Sequence, residues 1–128
     1  MHYDPDRKPD SATWLGLDED ARIAKIVAYH RAKRVSLENE RIHAVAHMMV
    51  ENQVALGEPA QVPETLARLM NEGLSRHDAV HAVGSVLLGV VFDVVRKPGA
   101  KPDPNRQYNQ ELAELTAARW RAGAEHDD

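Results

Sequence analysis

The sequence predicts an all-α protein, a compact bundle of four to five helices. Apolar residues recur at three- and four-residue spacings, and helix caps and stops fall where those stripes begin and end. No stretch alternates apolar and polar residues as a half-buried strand would. With 128 residues, 43% hydrophobic and 28% charged, the chain suits one domain around a single core. It divides into a flexible N-terminal segment (1–13), a helical histidine-rich domain (14–96), and a linker with a C-terminal helix (97–128).

Residues 1–12 are polar and carry Pro5 and Pro9, so they are expected to lie loosely outside the core. Asp18 can cap a first helix to about Lys33, with Glu19 and Asp20 near its positive end. Ile23, Ile26 and Val27 form its apolar stripe, and His30, one turn beyond Ile26, should lean inward. Ser36 can cap a second helix that lasts to Leu56, where Gly57 supplies a left-handed stop. Its broad apolar side runs from Ile42 to Gln53, with His43 and His47 at the edge and Glu40 and Glu51 just beyond. Pro63 opens a short third helix to about Glu72, apolar at Leu66, Leu69 and Met70 and ended by Gly73. Ser75 and Asp78 form a capping box for a fourth, almost wholly apolar helix to Val95. Its many valines would also suit a strand, but a run of about twenty residues behind a cap favours a helix. A proline-rich stretch at 97–104 leads to a last helix, opened by Asp103 and Pro104 and running to about Arg121, with Tyr108, Leu112, Leu115 and Trp120 as its packing side.

The chemistry gathers on two of these helices. His43 and His47 are four residues apart, as are His77 and His81, and on a helix that spacing sets both imidazoles on one face about 40° apart. Glu51 extends the first face by another turn. A third helix of about ten residues spans roughly 15 Å, so an up-down-up path returns His77 and His81 to the level of His47 and Glu51. With no cysteine in the chain, a metal must be held by nitrogen and oxygen. The expected ligands are therefore His43, His47, Glu51, His77 and His81, with zinc first and iron second. His30, Glu40 and Ser85 are expected around them rather than on the ion, so that His30→Ala retains most of the metal. His2 and His126, near the ends, have no assigned role.

Metal binding with a catalytic or sensory use is the leading function. A metal-dependent hydrolase is the alternative, with Asp78 or Glu51 as general base. His77-Asp78-x-x-His81 resembles the zinc-protease His-Glu-x-x-His, although the shorter Asp already has a capping role. Glu40-x-x-His43 resembles half of a ferritin-like di-iron motif but lacks carboxylates on the other helices. A metal-free helical interaction module is the third reading.

Several partners are not expected. Net charge is −4, and 30–34 is the sole basic cluster, so nucleic acid does not fit. The polar start is unlike a signal peptide, and no apolar run is expected to reach the roughly twenty residues of a membrane span. A cytoplasmic location is the default expectation. A homodimer and an unidentified small-molecule ligand stay open.

Trp14-Leu15, Asp18-Glu19, Arg22-Ile23, Tyr29-His30-Arg31, His43, His47, Glu51-Asn52-Gln53, Thr65-Leu66, Arg68-Leu69, Glu72-Gly73-Leu74 and Arg76-His77 with His81 and Gly84 together resemble a family of small bacterial all-helical proteins known only as a domain of unknown function. The resemblance covers about residues 14–92, roughly two-thirds of the chain. It implies a helical fold with the paired histidines as a shared signature, and carries no activity.

Overall fold

A computed structural model describes residues 1–33, 39–97 and 103–126. Its helices are α1 (Ser11–Leu15), α2 (Glu19–Ala32), α3 (Glu40–Leu56), α4 (Gln61–Asn71), α5 (Arg76–Arg96), α6 (Pro104–Glu114) and α7 (Ala117–His126). The fold is all-α, with seven helices and no strand among the described residues.

Local chemistry sets the boundaries. The Asp18 carboxylate accepts from Ala21 N at the start of α2, and Ser75 Oγ accepts from Asp78 N at the start of α5. Gly57 ends α3 with φ 72°, a left-handed conformation that a side chain would strain. The start of α3 lies a few residues later than expected, at Glu40, because Asn39 is the residue that caps it by accepting from Ile42 N. Ser36, the expected cap, lies outside the described residues.

The count exceeds four to five helices for two reasons. α1 is a five-residue turn, too short to show an apolar stripe, and is held by Asp10, which accepts from Thr13 N at 3.0 Å. The expected last helix is broken at Leu115, which adopts ψ 130°. A new start is built there: Thr116 Oγ1 accepts from Arg119 N, and Glu72, just past the end of α4, accepts from Ala117 N at 2.8 Å. Two donors that a continuous helix would have satisfied internally are thus capped from outside.

The N-terminal segment is a second correction. Tyr3 is 1% exposed, its ring 5.6 Å from that of Trp14. Residues 1–13 therefore close over the bundle rather than lying apart from it.

α5 packs against α3, α4 and α6 and forms the axis of the bundle. At 21 residues with a mean hydropathy of 1.8 over its most apolar window, it is long and apolar enough to cross a membrane, contrary to the expectation that no run would be. The core holds two apolar clusters and a polar layer. One cluster gathers Val50, Val62, Leu69, Val80, Val83 and Leu112; the other gathers Tyr3, Trp14, Ile23, Ile26, Ala44 and Met48. The polar layer comprises the buried His30, His47, Glu51 and Arg76.

Candidate metal centre

Three helices deliver five imidazoles to one place. His30 comes from α2, His43 and His47 from α3, and His77 and His81 from α5. The expected pairs meet: ring centroids of His47 lie 5.3 Å from His77 and 4.6 Å from His81. His30 belongs with them, at 5.0 Å from His47 and 5.3 Å from His77. One nitrogen from each of His30, His47, His77 and His81 falls within 4.8 Å of the other three. His43 stands beside this set, its Nε2 3.2 Å from His30 Nε2 and 2.8 Å from His81 Nε2.

Hydrogen bonds assign the tautomers. His30 Nδ1 lies 2.9 Å from the Ile26 carbonyl, which only accepts, so Nδ1 carries the proton and Nε2 presents its lone pair to the cluster. The Tyr3 hydroxyl donates to Glu51 Oε2 at 2.7 Å and accepts from His47 Nδ1 at 3.1 Å. His47 Nε2 is thereby also a bare lone pair. Because His30 Nε2 is an acceptor, the nearby His43 Nε2 is the proton-bearing nitrogen, donating toward both His30 and His81. Two nitrogens are left over: His47 Nε2 and His77 Nε2 are buried without a hydrogen-bond partner. A buried unsatisfied polar atom costs about 1–3 kcal/mol, and both of these belong to the four-imidazole set.

The surroundings favour the neutral form of His43, His47, His77 and His81. Burial, followed by the neighbouring imidazoles, pushes His43 down to about 4 and His81 to about 3. The same causes, in the same order, lower His47. His77 is lowered by burial and by His30, against an opposing pull from Asp6. The metal-free protein should consequently lose stability as pH falls from about 6.5 toward 4. In that window the unfolded chain takes up protons at the ordinary value of 6.5 while folded His43 and His81 stay neutral. Above 6.5 these groups are neutral in both states and contribute no slope. Urea midpoints that stay level between pH 7.5 and 5 would contradict this.

Glu51 is a correction. It was expected as a ligand or base, yet both of its oxygens are occupied: Arg76 Nη2 donates to Oε1 at 2.7 Å, and Arg76 Nη1 and Tyr3 donate to Oε2. Its role runs through Tyr3, which orients His47. Asp78 stands in the first turn of α5, behind Ser75, as a capping-box residue. Glu40 pairs with Arg31 at 2.7 Å rather than with an imidazole. Ser85 Oγ donates to the His81 carbonyl at 3.0 Å. Tyr3 and Arg76 were not singled out in the sequence; an aromatic residue in an otherwise polar opening was the one signal for Tyr3, and Arg76 gave none beyond preceding His77.

An apolar cavity of about 480 Å³ adjoins the cluster. His43, His47 and His81 line it, together with Val80, Leu88 and Trp120. Gly84 also lines it, and a methyl group there would meet Ala46 Cβ at 3.5 Å, an ordinary contact. Comparisons of the chain with protein-family profiles, curated proteins and solved structures find no match in any of the three.

Proposed function

We propose that this protein binds a divalent transition metal through its histidine cluster, with zinc preferred over iron, and uses it beside the cavity in a catalytic or sensory role. The observation that carries this reading is the pair of buried, unpartnered nitrogens, His47 Nε2 and His77 Nε2, within a set of four mutually close imidazoles. Such nitrogens are costly unless something electron-poor meets them, and imidazole is a good ligand for both ions. Donors now within 4.8 Å would contract to about 3.4 Å around a tetrahedral ion with bonds near 2.0–2.1 Å. Zinc is favoured because the donor set is all nitrogen once Glu51 is committed to Arg76, whereas non-haem iron sites of the two-histidine type add a carboxylate.

Elemental analysis of protein purified without a histidine tag tests this. About one equivalent of metal is expected; none after reconstitution with zinc or ferrous iron, with no change in thermal midpoint, would overturn it. Tyr3→Phe should leave the ligands in place but release His47 Nδ1 from its oriented partner. Metal affinity measured by chelator competition is expected to fall roughly 10- to 100-fold. Unchanged affinity would show that Tyr3 only packs.

The cavity supports a second reading, a metal-dependent hydrolase, because a ligand-sized space opens on three of the imidazoles. A bound metal would supply Lewis acidity and a water acidified toward neutrality. His43, which lines that space, replaces Asp78 and Glu51 as the group suited to move a proton there. Hydrolysis of a generic aryl ester that disappears with chelator would favour this reading over storage or sensing.

A further inference from the structure

The cavity beside the histidines is lined by chemically different groups. His43, His47 and His81 give it an imidazole side, and Val80, Leu88, Leu115 and Trp120 are apolar. The remaining notable group is Arg119, an exposed cation. Among the described residues no aspartate or glutamate lines the space, and Arg119 is the one formal charge there. The guanidinium makes a single hydrogen bond, from Nη1 to the Glu114 carbonyl at 3.2 Å, and enters no ion pair among the described residues. Most of its donors are therefore free to meet a ligand.

We infer that this cavity binds a small carboxylic acid with an apolar body, its carboxylate held by Arg119 and its other end directed at the histidine cluster. The site rests on the proposed metal only for what happens at that imidazole side; the grip on the acid is Arg119's own. A volume of about 480 Å³ lies within the range of small-molecule sites. The apolar walls call for a hydrocarbon body rather than a sugar or a nucleotide. One guanidinium with no second cation among the described lining residues matches a monoanion, and its planar fork suits a carboxylate in two-point contact. A phosphate dianion would leave a charge uncompensated here.

The test uses 4-phenylbutyrate and its neutral amide, titrated calorimetrically into metal-loaded and chelator-treated protein. The acid should bind roughly five-fold more tightly than the amide, a difference typical of a partly exposed charge-assisted contact. Arg119→Gln should erase that preference while leaving metal content unchanged. Leu88→Trp, which fills the space, should abolish binding of both probes. Equal affinity for acid and amide, failure of both to bind, or a preference that survives in Arg119→Gln would overturn the inference. The two readings fail separately. An acid preference in protein that takes up no metal would sink the metal and keep the pocket, whereas stoichiometric metal without an acid preference would do the reverse.

Discussion

Replacing His47 with alanine is expected to remove nearly all bound metal, whereas His2→Ala keeps it in full. His47 is 2% exposed, its Nδ1 is anchored by Tyr3, and its Nε2 is buried with no hydrogen-bond partner. Glu51 cannot substitute, because it is held by Arg76 and a helix cannot shift one residue's position without moving the whole turn. The same result is expected for His81→Ala and also for His30→Ala. That last outcome reverses the sequence-based expectation, since His30 Nε2 stands inside the cluster with its Nδ1 already committed to Ile26. Metal content by mass spectrometry, with helicity checked by circular dichroism, decides it. Full occupancy in folded His47→Ala would place the ion elsewhere.

The largest loss of stability is expected from Arg76→Met. The Arg76 and Glu51 side chains are 8% and 0% exposed, and the guanidinium donates to both carboxylate oxygens. Removing it strands a carboxylate in the interior and frees the Pro5 carbonyl, which also accepts from Arg76 at 2.9 Å. Breaking a buried pair from one side costs about 3–5 kcal/mol. Replacing both partners, as Glu51→Leu with Arg76→Met, should recover a large part of this, because no charge is left unpaired. Urea unfolding of the single and double variants beside the parent chain measures the difference. A loss below about 1 kcal/mol in the single variant would mean that water reaches Glu51 and that the pair is not the keystone of the polar layer.

The helices that carry the site were legible because their signals are local. Asp18, Ser75, Gly57 and Gly73 mark ends within a few residues of themselves, and the four-residue histidine spacing has one meaning on a helix. Apart from the meeting of the two histidine pairs, what escaped the sequence was the set of contacts made across long stretches of chain. Glu51 has the spacing of a ligand, and only the arrival of Arg76 from α5 and Tyr3 from the N-terminus converts it into an anchor. His30 could be read as inward-facing, but its distance to α3 and α5 depends on how α2 crosses them, which periodicity does not contain. The break at Leu115 was hidden for the same reason, since the acceptor that starts α7 is Glu72 on another helix.

The opening residues tie directly into the far side of the cluster: Pro5 O takes a hydrogen bond from Arg76, and Asp6 Oδ1 takes one from His77 N, each across 71 positions of chain. Such contacts close late, because a long loop must be ordered before they return any free energy. As the chain leaves the ribosome, α2 and α3 can pair while His77 and His81 are still unmade, and three imidazoles then stand without their counterparts. The centre is therefore completed only after α5 has been synthesised and residues 3–6 have docked over it. A metal held by imidazoles of α2, α3 and α5, as proposed, would find its full set of donors only after that point.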